Sequence, residues 1–515
     1  MTPDVLLAID AGTQSTRVLA FDPAGTLLDR ARVVHAPPYR SPRPGWAEQD
    51  PAMYWEALCA ACRALWGNGI VTPDAVAGVA VTAQRGTVIT LGARGLPLRP
   101  AILWLDQRRT DAAPPVRWWW RLLFTAAGLT GTLAYLQAEA EANWLWAHQR
   151  EVWSATARYL LLSGYLTYRL TGLFVDSVAC QVGYIPFDYR RHDWAQPADW
   201  KWQAIPVRRE MLPTLFPPGR PLGEVSAEAA RDTGIPAGRP VIAAATDKAC
   251  EALGAGCLDP EVACIGYGTT ATINVAFPRY VEPIRLIPPY PSALPGAYNL
   301  EVQIYRGFWL VSWFIREFAV ADAEAAAREG VAVEAMLDRE AEEVPPGSLG
   351  LVVLPYWSPG LRYPGPEARG AIVGFRSEHG RAHLYRALLE GLAYGLRHGR
   401  ERIEGKTRIA LREARVCGGG SKSDLATQIT ADVLNLPAAR PQVWETSGLG
   451  AAILAAAGVG WYGSVADAAR GMTRTATVFE PTSAAVTYDR LYRTVYRPLF
   501  DRLSPLYRNL YRVFH

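Results

Sequence analysis

A chain of 515 residues is too long for one hydrophobic core and sets an expectation of about two to four domains. Half of the residues are hydrophobic and 20% are charged, at a mean hydropathy of zero. That excludes a disordered chain, because so much apolar surface repays the cost of ordering. The 53 basic and 49 acidic residues leave a net charge of +4, too small and too evenly spread for a nucleic-acid surface.

MTPDVLLAID lacks the basic n-region of a secretory signal, and its apolar run ends at Asp10. Val5 to Asp22 reads VLLAIDAGTQSTRVLAFD: an apolar run, a Gly-Thr turn rich in hydroxyls, and a second apolar run, which predicts a β-hairpin. Pro37 to Pro44 reads as a surface loop and Pro51 to Trp66 as a helix. Cys59 and Cys62 lie in that helix at CxxC spacing, but no second pair or nearby histidine completes a zinc site. The seven cysteines read as buried thiols of a reducing cytoplasm. Val76 to Thr82 predicts a strand. Trp118, Trp119 and Trp120 sit between Arg117 and Arg121, and read as structural or as a substrate wall. No apolar stretch reaches the ~18 residues of a membrane span, so no membrane association is expected.

Ala138 to Ser163 reads as a long helical stretch and Pro240 to Ala245 as a strand. Val262 to Phe277, VACIGYGTTATINVAF, repeats the plan of the first hairpin. Gly12 and Gly268 lie about half the chain apart, where a duplicated domain would place its second copy. Beyond the loop Pro283 to Pro295 come a short strand, Gly350 to Pro355, and a long helix, Glu378 to Gly405. Arg415 to Cys417 is a strand running into Gly418-Gly419-Gly420, with a helix from about Ser423. From Tyr488 onward Tyr, Leu and Arg recur at helical spacing, as in an amphipathic terminal helix. Strands alternating with helices predict α/β lobes with partly parallel sheets.

At the first hairpin Asp10 ends a strand and is followed by Gly12, Thr13, Gln14, Ser15 and Arg17. Such a turn can aim N–H groups and hydroxyls into one concavity that suits a phosphate. Asp10 could hold Mg²⁺ and Arg17 neutralise phosphate oxygens. The segment alone fits an ordinary hairpin equally well. A second hairpin at Gly268-Thr269 and a glycine-rich turn from Gly418 to Ser423 favour a nucleotide. The turn is not a Walker A loop, since GxxxxGK[ST] is absent, nor a dinucleotide fingerprint, since GGGSKS lacks the GxGxxG spacing. The histidines read as structural: His379 and His383 lack the Glu of HExxH, and no His accompanies the other motifs. A GxSxG elbow is also missing.

These segments together resemble the FGGY carbohydrate kinases, a branch of the group containing hexokinase, actin and the heat-shock ATPases. AIDAGTQSTR is similar to that family's first phosphate hairpin and GWAEQDP to its W-x-E-x-D-P segment. AILWLDQRRTD resembles its sugar-site segment and ATDKACEALGAG its catalytic one. GYGTTATIN resembles the second phosphate hairpin, VCGGGSKSD the adenosine loop, and ETSGLGAAILAA the closing helix. The resemblance covers nearly the whole chain. It implies two actin-like, ribonuclease H-like lobes with an ATP and sugar cleft between them: residues 1–250 as the sugar-binding lobe, 251–465 as the nucleotide lobe, and 466–515 as a helical tail. It implies Asp247 as general base, a carboxylate accepting the hydroxyl proton as the P–O bond forms; the same residue could also cap the following helix. It further implies Asp10 as the magnesium-side carboxylate, Thr13 and Thr269 against the transferred phosphate, and Gly419 and Ser423 near adenine and ribose.

For the substrate, Gln84 and Arg85 stand where glycerol kinases carry Gln-Arg-Glu-Thr, with Gly86 replacing the Glu. The space beside Gly86 is expected to admit something bulkier than glycerol, such as a ketose or longer polyol. Xylulose kinases commonly have Met-His in this region, and this chain has Arg85-Gly86. Trp104 and Asp106 fit a sugar wall with one apolar face and one hydroxyl-binding carboxylate. The resulting expectation is an ATP- and Mg²⁺-dependent cytoplasmic kinase of a small sugar, a pentulose or polyol. Glycerol kinase is one alternative, and a non-catalytic nucleotide-dependent sugar sensor or chaperone-type ATPase is another. The sugar, the hydroxyl, contacts of Arg108 and Arg109, and the oligomeric state, a homodimer included, stay open.

Overall fold

A computed structural model describes residues 4–358, 364, 365 and 367–514. The chain forms two compact units that are interleaved in sequence. The first comprises Met1–Gly254, Tyr290–Ala297 and Ser447–Met472; the second comprises Ala255–Pro289, Tyr298–Thr446 and Thr473–His515.

In the first unit the sheet is built from β1 (Val5–Ala11), β2 (Ser15–Phe21), β3 (Leu27–Val34), β4 (Val76–Ala83), β5 (Pro221–Glu224) and β6 (Pro240–Ile242), in the order β5-β6-β4-β1-β2-β3. β6, β4 and β1 run parallel, while β2, β3 and β5 are antiparallel to their neighbours. All of VLLAIDA in β1 is buried, as an inner strand covered on both faces requires. Helix α1 (Pro51–Gly67) packs on this sheet. Asp50 caps it by accepting the Ala52 N–H, and Pro51 opens it, where a missing N–H costs nothing. Helix α2 (Asp247–Gly254) follows β6. The helix Thr446–Gly458 approaches α2 so closely that a Cβ on Gly450 would fall 2.0 Å from the Cys250 carbonyl oxygen, so only glycine fits there.

The second unit repeats the plan. β7 (Val262–Tyr267), β8 (Ala271–Phe277), β9 (Tyr298–Ile304), β10 (Glu413–Cys417), β11 (Ala438–Pro441) and β12 (Thr475–Phe479) lie in the order β12-β11-β10-β7-β8-β9. β11, β10 and β7 are parallel, and β8, β9 and β12 antiparallel to their neighbours. In order and direction these six strands match the six of the first sheet, so the repeat signalled by Gly12 and Gly268 is a duplicated topology. The hairpins differ in one respect: the last pair before the first turn is Ala11–Thr16, and before the second Tyr267–Ala271. The second turn is therefore one residue shorter. Helix α3 (Arg381–Thr407) crosses the second unit's core, and α4 (Asp424–Leu434) follows β10.

Ala138 to Ser163 is not one helix. Helices Glu141–His148 and Arg150–Ala155 are followed by a strand, Arg158–Leu161, antiparallel to Val88–Leu91. Tyr159, Leu160 and Leu161 are buried, and pairing within the unit overrides the helical composition. The tail is helical through Ala484–Leu491, a π-helical turn Tyr492–Tyr496 and Arg497–Phe514. It buries Tyr488, Tyr492 and Tyr496 on one face. All seven cysteines are buried. Among the described residues no helix is long and apolar enough to cross a membrane.

Candidate active site

The carboxyl ends of β1, β4 and β6 bring three of the expected residues together. Asp10 pairs across the sheet with Thr82 on one side and Arg17 on the other. Its Oδ2 lies 3.3 Å from Arg17 Nη1. Gln84 extends β4, donating its N–H to the Ala11 carbonyl at 2.9 Å. Thr246 forms a parallel bridge with Ala83, and Asp247 opens α2 directly after it, half-buried, its Oδ1 accepting the Lys248 N–H at 2.8 Å. Asp10 and Asp247 act on a common group: the Cys250 thiol is pushed up to about 12, first by burial and then by these two carboxylates, against hydrogen bonds with Thr82 and Ala245. Open parallel sheets bind ligands beyond the carboxyl ends of their strands.

The first hairpin turn is held by a closed ring of hydrogen bonds. Thr13 Oγ1 donates to Gln84 Oε1, Gln84 Nε2 to the Tyr54 hydroxyl at 2.7 Å, and Tyr54 to Gln49 Oε1. Gln49 Nε2 returns to the Thr13 carbonyl at 2.9 Å. His35 joins it, with Nδ1 3.1 Å from the same carbonyl and Nε2 3.1 Å from Thr16 Oγ1. A carbonyl only accepts, so Nδ1 carries the proton and the Thr16 hydroxyl donates to Nε2. Within the turn Gly12 donates to the Ser15 carbonyl at 3.0 Å. Ser15 is buried, and Gln14 is exposed with its carbonyl accepting the His35 N–H at 2.8 Å. Gln49, Tyr54 and His35 were not expected here, and the reading of every histidine as remote from the motifs is corrected at His35. The signal for it was available: β3 pairs with β2, and Ser15 faces Val34, so residue 35 falls beside the turn.

Trp104 Nε1 donates to Thr13 Oγ1 at 3.0 Å. Asp106 already has partners on both oxygens. Oδ1 accepts from Arg108 N at 2.9 Å and Nε at 2.7 Å, and Oδ2 from Arg108 Nη2 at 2.7 Å and Ala47 N at 2.6 Å. Its side chain is 2% exposed, so a sugar hydroxyl would have to displace one of four donors. Arg108 also pairs with Glu48 at 2.8 Å and stacks on Trp46 and Trp144. Arg109 pairs with Glu139. Arg85 lies over the Tyr290 ring, 4.9 Å from its centroid. Gly86 has φ +65°, and a Cβ there would lie 3.5 Å from Trp104 Cβ and 3.9 Å from the Val182 oxygen. The space expected beside Gly86 is thus bounded by Trp104 and Val182.

In the second unit Gly268 donates to the Thr270 carbonyl at 3.1 Å, and Gly307 and Phe308 donate to the carbonyls of Thr269 and Gly268. Thr269 is half-exposed at this turn. Gly418 has φ +81°, and a Cβ on it would fall 2.7 Å from the Tyr267 oxygen, whereas a Cβ on Gly419 would meet no atom within 4 Å. Ser423 caps α4, its Oγ accepting the Ala426 N–H at 2.9 Å. The Gly-Thr turn and the glycine-rich turn follow the adjacent parallel strands β7 and β10.

The family model described as the FGGY family of carbohydrate kinases, N-terminal domain, matches residues 5–254, and its C-terminal counterpart matches residues 263–459. An uncharacterized sugar kinase of Escherichia coli K12 is 31% identical, with 100% of this chain and 97% of that protein covered. A glycerol kinase of Methylorubrum extorquens is 31% identical over 90% of this chain and 91% of its own. The crystal structure of a xylulose kinase from Rhodospirillum rubrum superposes with a TM-score of 0.78 at 28% identity, covering 98% of this chain and 100% of that one. With both halves of the chain matched in order, the protein belongs to the FGGY family of carbohydrate kinases.

Proposed function

We propose that this ATP-dependent phosphotransferase acts on a ketose or longer polyol, with Asp247 as general base. Membership of the family makes ATP the phosphate donor and an alcohol of a small sugar or polyol the acceptor. A sensor or chaperone-type ATPase is accordingly set aside. The observation that carries the base assignment is the position of Asp247, at the carboxyl end of the parallel strands, directly after the Thr246 bridge to Ala83 and at the start of α2. A carboxylate there can accept the hydroxyl proton as oxygen attacks the γ-phosphate.

In this reading Gln84, Arg85 and Trp104 orient the sugar, and Asp106 acts through Arg108 rather than by direct contact. Gly12, Gln14, Ser15 and Arg17 in the first unit, and Gly268 and Thr269 in the second, serve the phosphates, while the Thr13 side chain, bonded to Gln84 and Trp104, serves the sugar side. Gly418, Gly419 and Ser423 border the adenosine. Asp10 would hold Mg²⁺, which when bound neutralises phosphate charge; a carboxylate near the end of β1 suits a cation that takes one or two protein carboxylates. The relatives named for glycerol and for xylulose both fit the general class. Gly86, which offers no carboxylate to a triol, favours the larger acceptors.

A coupled ADP assay across ketopentoses, ketohexoses, tetritols and glycerol tests the substrate; turnover of glycerol alone would overturn the ketose or longer-polyol reading. Asp247→Asn should lower kcat by about 10²- to 10⁴-fold while nucleotide binding, measured directly, is retained. Unchanged turnover in that variant removes the mechanism.

A further inference from the structure

Behind Asp247 lies a second buried acid to which none of the motifs points. Asp176 is 2% exposed and stands on the short strand Val175–Ser177. Its Oδ2 accepts from Ser163 Oγ at 2.8 Å and Gln181 Nε2 at 2.8 Å, and its Oδ1 from the Ser177 N–H at 2.8 Å. Gln181 Nε2 also reaches the Ser177 carbonyl at 3.0 Å, and Ser177 Oγ accepts the Ala179 N–H at 3.2 Å. These bonds fix the one-turn 3₁₀ helix Val178–Cys180. The Ala179 carbonyl at its centre then accepts the N–H of Thr246 at 3.1 Å. Thr246 is therefore gripped from two sides, by the bridge to Ala83 and by this turn. Its own carbonyl takes the Cys250 N–H at 2.9 Å in the first turn of α2.

From this chain of bonds we propose that Asp176 is a positioning residue for Asp247, setting the backbone from which the base projects. The inference rests on the reading of Asp247 as the base. Burial pushes the Asp176 carboxyl up to about 6, against the bonds from Ser163, Gln181 and Ser177, which leaves it ionised at neutral pH with acceptors for all three donors. Asparagine at this position would retain the shape but set an NH₂ group against a donor, at the Ser177 N–H or at Gln181 Nε2. The turn would shift, and the base with it. A displacement near 1 Å from the reacting geometry costs on the order of 10²-fold in rate.

The test compares Asp176→Asn in the wild-type and Asp247→Asn backgrounds, with circular dichroism as the control for folding. Asp176→Asn should reduce kcat by roughly 10²-fold, leave the KM for ATP unchanged, and accelerate amide exchange at Thr246. Ser177→Ala, which removes only the bond to Ala179, should give a smaller loss of the same kind, and it decides the matter if Asp176→Asn does not fold. In the Asp247→Asn background the added Asp176→Asn should leave the residual rate unchanged. Equal losses in both backgrounds, or a raised KM at constant kcat, would overturn the positioning role. Full activity of Asp247→Asn alone would instead defeat the assignment of the base, an outcome separate from either.

Discussion

Trp104 Nε1 donates to Thr13 Oγ1 at 3.0 Å, joining a residue expected at the sugar to one expected at the phosphate. A threonine hydroxyl has one proton to give, and Thr13 gives it to Gln84. Thr13 is thus committed to two sugar-side partners through its side chain. Thr13→Val would leave the Gln84 carbonyl and the Trp104 N–H unpaired, a loss of about 1–3 kcal/mol. We expect the KM for sugar to rise accordingly, the KM for ATP to hold, and Thr13→Ser to restore the wild-type value. Steady-state kinetics varying each substrate in turn checks this. A rise confined to the ATP term would return Thr13 to the phosphate.

Arg108 carries a different liability. Its guanidinium, 2% exposed, neutralises both Asp106 and Glu48. Breaking a buried pair by removing one partner costs about 3–5 kcal/mol, because the other charge stays buried. Arg108→Leu should lower the unfolding free energy by that much, read as a lower midpoint in thermal or denaturant melts. The double variant Asp106→Leu/Arg108→Leu should recover part of the loss, since Arg99 still pairs with Glu48. If Asp106 bound sugar directly, Asp106→Leu would instead lose substrate affinity with little change in stability.

These two cases mark where the sequence was legible. Elements whose signal is local were readable: the Gly-Thr hairpins, the strand before Asp247, and the glycine turn after Cys417. The duplication also showed, because a repeat is visible as spacing before any contact is known. The ring through Gln49, Tyr54 and Gln84 was not readable as such, because its members come from a two-residue strand, a helix and the end of another strand, which meet only in the folded unit. The partners of Asp106 were hidden for a related reason. A carboxylate two residues before an arginine looks available in sequence, and only burial shows both of its oxygens in use. Arg158–Leu161 read as helix because Ala-rich neighbours dominate a local count, whereas its partner strand lies far upstream at Val88–Leu91.

The glycine turn of the second unit separates architecture from ligand contact. A Cβ on Gly420 would fall 2.3 Å from the Phe308 ring, but one on Gly419 meets no atom within 4 Å. Gly420→Ala should therefore destabilise the protein, with overpacking costing about 1–3 kcal/mol. Gly419→Ala should melt like wild type. If the Gly419 backbone borders the adenosine, that variant raises the KM for ATP without altering the KM for sugar. Wild-type kinetics in Gly419→Ala would take this residue out of the nucleotide site.

The first hairpin should also make stability depend on pH. His35 has its pKa lowered by burial, and further by Arg32, against the bond with the Thr13 carbonyl. Its neutral ring donates from Nδ1 to that carbonyl and accepts from Thr16 at Nε2. Because the folded state resists the proton, the unfolded chain takes it up first as pH falls through about 6.5. Stability is complete above that value and is lost as pH drops toward the lower folded-state pKa, below which no further loss accrues. His192 and His398 are lowered by burial in the same direction, His398 to about 4, so they add to the slope without creating the part due to His35. His35→Asn keeps a donor for the Thr13 carbonyl but cannot titrate. It should be less stable than wild type at pH 7.5, with melting midpoints that converge on the wild-type curve as pH is lowered to 5. Parallel curves across that range would show that His35 contributes no proton linkage to the hairpin.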